Sequence, residues 1–484
     1  LSDNGEYLNF QNEMKTKTCL FLLLTSFNFV LAQSDLGNKT SSPNVIIILA
    51  DDLGYNDVGF NGCKDIPTPN IDKIAKNGVK FTNAYVSYAV CGPSRAGLIT
   101  GRYQDRFGFG RNPLFAPNDP EMGLPLSEET LATALKKADY KSVALGKWHL
   151  GAHESQRPLK RGFDDFFGFL SGGHQYFPEL WTLKDEYEVK AQFDAYNTKL
   201  LRNNDRIEEN EYLTDALSRE AANYIEKYKE QPFFMYLAYN APHTPLQATD
   251  EYLNRFPNIK DKKRKTYAAM VRAMDDGVGR IMDKLETLGL SENTIVFFLS
   301  DNGGPEHTNA SDNGVLRAGK GQLFEGGIHV PFAMQWPGKI PSGTIYEAPI
   351  ISLDIFATAI AQTATPIQTK NELDGVDLIP YITGKNKTKP HDYLFWRKFD
   401  AQNHAVRNDM EKKIVVIKND TMLFNLGSDI SESNNLIETT PEDFKQLEKT
   451  YQNWNSQMLD PIFMGLGQDS EYSKSNLNRY KKLQ

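Results

Sequence analysis

Cysteine is scarce in this sequence: its 484 residues carry only three. So few thiols exclude a small disulfide-stapled scaffold, and a chain of this length buries enough apolar surface to fold without staples. Positive charge is short as well. Lys and Arg number 54 against 62 Asp and Glu, for a net charge of −8, which excludes nucleic-acid binding driven by bulk positive charge. An anionic ligand needs a local cluster of cations instead. Long apolar runs are also missing, so no stretch reaches the roughly 20 residues of a transmembrane helix. There is no internal repeat and no low-complexity tract.

One short apolar run has another reading. From Met14 the sequence is MKTKT, then Cys19 to Leu31 (CLFLLLTSFNFVL), then Ala32 before Gln33. A basic start, an apolar stretch and a small-residue cleavage site make residues 14–32 an expected secretory signal peptide. Residues 1–13 lack an initiating Met and read as an upstream extension or remnant. Cys19 opens the run instead of following it, so no lipid anchor is implied. The expectation is a periplasmic or secreted protein with no membrane anchor once the signal is removed. The other two thiols, Cys63 and Cys91, are free to form one bridge in an oxidising compartment, or Cys91 has a chemical role.

What the sequence does contain is a globular mixture, 40% hydrophobic and 11% aromatic. Asn44–Ala50 (NVIIILA), Lys141–Leu145 (KSVAL), Phe233–Tyr239 (FFMYLAY) and Thr294–Leu299 (TIVFFL) are short continuous apolar runs, the pattern of parallel strands buried on both faces. Helices are predicted between them: Pro69 to Gly78, a second capped by Ser127 and carrying Leu131 to Ala138, Tyr212 to Tyr228, and about Lys265 to Leu288. The four strands stop at Asp51 and Asp52, at Lys147 to His149, at Asn240 to His243, and at Asp301 and Asn302. Ligands of open α/β sheets bind outside the carboxyl ends of the strands, so these ends can converge on one site. After about Gln368 short strands follow without helices between them, at Tyr393–Trp396, Lys413–Ile417 and Met422–Leu426, which suggests an antiparallel sheet. A helix over Pro441–Met458 closes the chain. The expected organisation is an α/β catalytic domain over 43–368 with a large, mostly parallel sheet flanked by helices. A smaller C-terminal α+β subdomain over 369–468 and a loose tail over 469–484 follow.

The most specific string is Cys91-Gly92-Pro93-Ser94-Arg95, continued by AGLITGR to Arg102. Pro93 and Ser94 suit the first turn of a helix, which places Cys91 at the positive end of a helix dipole. The string resembles the type I sulfatase signature CxPSRxxLxTG, whose cysteine is converted to formylglycine (3-oxoalanine). PNVIIILADDLG from Pro43, GKWHLG at 146–151, APHTP at 241–245, SDNGG at 300–304 and GKGQLFEGGIHVP at 319–331 extend the resemblance, in the family's order, over most of the chain. It implies the alkaline-phosphatase-like sulfatase fold, a sulfuric ester hydrolase with one bound calcium ion, and maturation by a formylglycine-generating or anaerobic sulfatase-maturating enzyme.

The chemistry calls for these residue types. A sulfate monoester is hydrolysed through a loose transition state with charge on the equatorial oxygens, so cations and fixed dipoles supply most of the catalysis. A formylglycine hydrate has one hydroxyl to attack sulfur and another whose deprotonation releases sulfate, a step a thiolate lacks. Asp51, Asp52, Asp301 and Asn302, with the modified Cys91, match the family's metal ligands, and their oxygen donors suit a hard divalent ion. Either acidic pair alone reads equally well as strand-end caps. The resemblance assigns Arg95, Lys147 and Lys320 to neutralising sulfate, and His149 and His243 to base and acid. In isolation such a lysine reads as solvated and such a histidine as structural. Ser94 fits either a helix-turn hydroxyl or a part in modification. His329 stands where the family commonly has Arg in GGIRVP, so packing or pH response near Glu325 is expected to differ.

For substrate binding the expected residues are His174 and Arg397, with Tyr176, Trp181, Trp396, His404 and Arg407 on the rim, because aromatic faces and cations suit sulfated sugars. Packing within the second domain is the alternative for the aromatics, and a solvated surface for the cations. The expected activity is removal of sulfate from algal polysaccharide such as ulvan, carrageenan or fucoidan, or from its oligosaccharides. Its rivals are a phosphate or phosphonate ester hydrolase of the same superfamily and a catalytically silent carbohydrate-binding homologue.

Overall fold

The computed structural model describes residues 42–482, so the segment expected to be a signal peptide lies outside the described residues. The main element is a ten-stranded sheet. At its middle lie β1 (Asn44–Ala50), β2 (Lys141–Lys147), β3 (Phe233–Ala238) and β4 (Thr294–Ser300). They run parallel, side by side in the order β4-β1-β3-β2. The four chain segments that carry the polar strand ends are therefore immediate neighbours. Asp165–Phe169 adds a further parallel strand beside β2, while Phe332–Gln335 pairs antiparallel with β4 and Leu201–Arg202 antiparallel with Asp165–Phe169.

Alternate residues of a strand face opposite sides of the sheet. Val45, Ile47 and Leu49 enter one apolar layer with Ala96, Leu98 and Ile99 of α1 (Cys91–Thr100). Ile46, Ile48 and Ala50 enter the other with α2 (Leu213–Tyr228) and α3 (Lys262–Thr287). Both faces are covered, which is why the strands need continuous apolar runs. Each Ile of β1 is fully buried, and burying such a side chain stabilises the fold by roughly 1.5–3 kcal/mol.

The C-terminal region forms a four-stranded antiparallel meander: β5 (Tyr393–Lys398), β6 (Asn403–Asn408), β7 (Lys412–Ile417) and β8 (Asp420–Asn425). A third apolar cluster joins this sheet to Leu447, Tyr451 and Trp454 of α4 (Pro441–Asn455), and to Tyr85, Phe324 and Ile328 of the large sheet's loops.

Two expectations need correction. The helix expected from Ser127 begins at Leu131, where Thr130 caps it by accepting a bond from the Thr133 amide. The tail is not loose: Asp469–Ser475 is helical, and buried Arg479 donates to the Phe115 carbonyl and pairs with Asp469. No helix among the described residues is long and apolar enough to cross a membrane.

Candidate active site

β1 ends directly on Asp51 and Asp52. The Asp51 amide donates to the Ala241 carbonyl and the Asp301 amide to the Ala50 carbonyl, both at 3.0 Å. These bonds hold the ends of β1, β3 and β4 at one level. β2 arrives through Gly146, whose φ is +86°. A Cβ there would lie 2.0 Å from the Ala238 carbonyl oxygen, so only glycine lets β2 run against β3 just before Lys147. Helix α1 starts at Cys91, all ten of its residues are buried, and Gly101 ends it in the left-handed conformation.

Cys91 is the centre of the arrangement. Its Sγ lies 3.4 Å from Asp51 Oδ1 and 3.1 Å from Lys320 Nζ. Lys147 Nζ reaches Asp51 Oδ2 at 2.6 Å, Lys320 Nζ reaches Asp52 Oδ1 at 2.6 Å, and Arg95 donates to Asp301 Oδ2 at 2.8 Å. Donor atoms of Asp51, Asp52, Cys91 and Asp301 all lie within 4.8 Å of one another. Asn302 donates to Asp52 Oδ1 at 2.7 Å, yet its own Oδ1 is buried with no partner. A buried acceptor left over beside three carboxylates is what a hard divalent cation satisfies, so the residues present fit a calcium-type ion.

Electrostatics sort the members into roles. Burial and the neighbouring Asp51 charge push Asp301 above the usual carboxylate range. Burial acts on Asp52 in the same sense, but Lys320 and His243 outweigh it and hold that carboxyl at about 2. Burial, with Asp301 nearby, pushes the Cys91 thiol up to about 12. An unmodified Cys91 is therefore a protonated thiol and a weak nucleophile. Burial, Lys147 and Arg95 hold His149 well below its ordinary value, and its Nδ1 is buried without a partner. Burial and Lys320 bring His243 down to about 3, against the opposing pull of Asp52. His243 Nδ1 donates to the Thr244 carbonyl at 2.5 Å, which fixes the tautomer and leaves Nε2 3.6 Å from Asp52 Oδ2. Asp52 and His149 both sit at positive φ, +65° and +54°, backbone strain of a kind that collects at functional sites.

All ten residues expected to carry catalysis or metal lie in this cluster: Asp51, Asp52, Cys91, Arg95, Lys147, His149, His243, Asp301, Asn302 and Lys320. The expected substrate-binding pair does not. His174 is fully buried, with Nε2 2.7 Å from the Thr198 carbonyl, Nδ1 2.9 Å from the Gln175 carbonyl, and its ring against Phe169 and Trp181. It braces a turn and reaches no ligand. Tyr176, Trp396 and Arg407 are likewise interior. Arg397, on β5, pairs with Asp460 at 3.1 Å and lines a separate cavity. Cys63 and Cys91 are unbridged, which removes the staple reading, and Cys63 donates instead to Asp65.

Two groups near the site take contacts that the sequence only hinted at. Tyr196 stands against the Gly172–Gly173 turn: a Cβ on Gly172 would come 2.7 Å from His149 Nε2, and one on Gly173 2.9 Å from the Tyr196 hydroxyl. The GG pair was the only legible hint of that close approach. Behind Lys320, the loop is fixed by Glu325, which binds Lys413 at 2.8 Å, the Tyr85 hydroxyl at 2.7 Å and His329 Nδ1 at 2.9 Å. His329 Nε2 lies 2.9 Å from the Thr82 carbonyl, so this ring spans the gap where the family commonly places Arg.

A cysteine at a helix start stands among acids and lysines on the carboxyl edge of a mostly parallel sheet, the arrangement that the resemblance to sulfuric ester hydrolases implies. The Sulfatase family model matches residues 43–365, and the chain belongs to that family. It is 34% identical over 393 residues to the N-acetylgalactosamine-6-sulfatase of Mus musculus, covering 77% of this chain and 72% of the relative. It is 28% identical over 530 residues to the uncharacterized sulfatase YdeN of Escherichia coli K12, covering 91% and 89%. Among solved structures, Ps i-CgsB in complex with k-i-k-neocarrahexaose superposes with a TM-score of 0.83 at 38% identity, covering 91% of this chain and all of that one. The PsFucS1 sulfatase from Pseudoalteromonas sp. superposes at 0.72 with 25% identity, covering 87% and 91%.

Proposed function

We propose that this chain is an exported sulfatase that removes sulfate from a sulfated oligosaccharide or polysaccharide. Cys91 acts in it as formylglycine, and Asp51, Asp52, Asp301 and Asn302 hold a calcium ion beside it. The observation that carries this reading is the convergence of four donor groups within 4.8 Å, Cys91 among them, with Lys320 touching its sulfur. The Cys91 sulfur stands in for the oxygens of the modified residue. A bound calcium ion would lower the pKa of the attacking hydroxyl and draw charge from a sulfate oxygen.

This chain's own residues then have distinct tasks. Lys147 and Lys320 supply positive charge on two sides of the reacting ester, where charge develops. Arg95 acts through Asp301 and the Lys147 carbonyl, its hydrogen-bond partners at 2.8 and 3.2 Å, with Asp51 Oδ1 at 3.7 Å, and so fixes the acids and the strand end. Neutral His149, with its spare acceptor nitrogen, suits the base. His243 suits the acid that protonates the leaving oxygen. Its Nδ1 is committed to Thr244, so the mobile proton belongs on Nε2, and an arriving anionic ester offsets the lysines that keep the ring neutral.

The carbohydrate class is supported by the two kinds of relative, one an N-acetylgalactosamine-6-sulfatase and one solved with a carrageenan hexasaccharide. A sulfated galactan such as carrageenan is the first substrate to test, ahead of ulvan and fucoidan. Export follows from the signal peptide read at residues 14–32, with a catalytic domain over 43–368, a C-terminal subdomain over 369–468, and a maturating enzyme as transient partner. The test is enzyme coexpressed with such a maturase and assayed on the sulfate and phosphate esters of one phenol. Faster sulfate turnover is expected, with a loss of about 18 Da in the peptide containing Cys91. Faster phosphate turnover overturns the reading in favour of the phosphohydrolase rival, and an unconverted thiol without turnover favours the silent binding protein.

A further inference from the structure

A cation that the chemistry above leaves unused sits next to the catalytic loop. Lys398, the last residue of β5, donates from Nζ to the carbonyl of Gly321. Gly321 follows Lys320, whose ammonium is 3.1 Å from Cys91 Sγ. Lys398 also lines a cavity of about 490 Å³ between the β5–β6 turn and α4. It is half-buried, and burial holds its ammonium below the usual lysine value. Among the described residues no carboxylate pairs with it, whereas its neighbour Arg397 has Asp460. A partly desolvated cation without a counter-charge is costly, and an arriving anion offsets that cost. The wall also holds Asp400 and Asp460, each already paired, with Arg111 and Arg397, and amides of Gln402, Asn403, Gln452 and Asn455. Asn455 Oδ1 is itself buried without a partner. Amide groups that both donate and accept suit sugar hydroxyls.

We propose that this cavity is a second carbohydrate subsite, taking a sugar unit adjacent to the one that is desulfated, with the sulfate of that second unit paired to Lys398. The proposal rests on the carbohydrate-sulfatase reading. It makes the C-terminal sheet a reader of chain length and charge, and the loop at 319–321 the link between reading and reaction.

The test uses the matured full-length enzyme and compares kcat/KM on a multiply sulfated neocarrahexaose with kcat/KM on a monosulfated disaccharide. Lys398→Gln should lower the hexasaccharide-to-disaccharide ratio about tenfold, through KM, with Lys398→Arg restoring most of it. Gln452→Trp fills the cavity from α4 without touching the Lys398–Gly321 bond, and should lower the same ratio. The proposal is overturned if Lys398→Gln depresses both substrates equally through kcat while Gln452→Trp leaves the ratio as it was, because Lys398 then only holds the loop. A wild-type enzyme that cleaves simple aryl sulfates but neither sugar overturns the carbohydrate reading, and the subsite with it.

Discussion

Two clusters of buried charge lie at opposite ends of one loop, and only one of them is arranged for chemistry. At the strand ends, Asp51, Asp52 and Asp301 meet Arg95, Lys147 and Lys320 around Cys91. Five residues further along the loop from Lys320 lies Glu325, which shares Lys413 with Glu432 at 2.8 and 2.9 Å, with His329 bonded to Glu325 and packed between Tyr55 and Tyr85. The second cluster is shut away from solvent, the first is buried except at partly exposed Lys320, and both balance acids with cations. In the second, the groups bind one another and rings close the gaps. In the first, donor atoms of four groups converge on a shared point beside the unpartnered Asn302 Oδ1. Buried charge alone therefore does not mark an active site, nor does an unpartnered atom, since Glu432 Oε1 in the second cluster also lacks a hydrogen bond; convergence of donor atoms does.

Four measurements sharpen or break that contrast. Cys91→Ala should cost about 10⁴-fold or more in kcat on a fluorogenic sulfate ester while leaving the thermal midpoint nearly in place; residual turnover near wild type would remove Cys91 from the centre. Lys413→Met should do the reverse, leaving two carboxylates unpaired in the interior and lowering stability in urea by about 3–5 kcal/mol. If that variant instead keeps full stability and loses activity as Cys91→Ala does, the two clusters are not different in kind. His243→Gln should lower kcat about 10²-fold on an alkyl sulfate and much less on an aryl sulfate, whose leaving oxygen needs little protonation; equal losses would deny His243 its role as acid. The smallest effect concerns a contact between the regions, His391 Nε2 to Asp354 Oδ1 at 2.8 Å. Burial opposes the charged ring, but Asp354 overcomes it and raises His391 above its ordinary value. Its folded pKa exceeds the unfolded one, so its stabilisation is complete below about pH 6.5 and disappears as pH rises through the folded value. His391→Gln should erase this dependence in denaturation curves at paired pH values; an unchanged pH dependence would contradict it.

The strand ends of this cluster were legible in the sequence because each follows a local apolar run, as ADD, GKWH, APH or SDN, whereas Cys91, Arg95 and Lys320 were placed by the motif resemblance. Sheet physics brings such ends together without any long-range information. The second cluster was legible only in part. Glu325 and His329 lie in the string GKGQLFEGGIHVP, but Lys413 and Glu432 share no spacing or motif with them, and charged residues normally read as surface. The same effect hid β6, whose buried His404 and Arg407 break the apolar alternation by which β5, β7 and β8 were recognised. His174 misled in the opposite direction. Beside two glycines and an aromatic pair it resembled the rim of a sugar site, but the turn directs it inward onto two carbonyls. Arg95 was correctly placed at the site, yet its bonds go to Asp301 and a backbone oxygen, a geometry that a motif match does not encode.

Helix α1 has a consequence for chronology. Every one of its ten residues is inaccessible once the sheet is closed over it, and Cys91 is 2% exposed. Under the proposed conversion of Cys91 to formylglycine, a maturating enzyme would meet this thiol in the nascent or unfolded strand, before the sheet closes over it, and a polypeptide that folded first would keep its thiol out of reach.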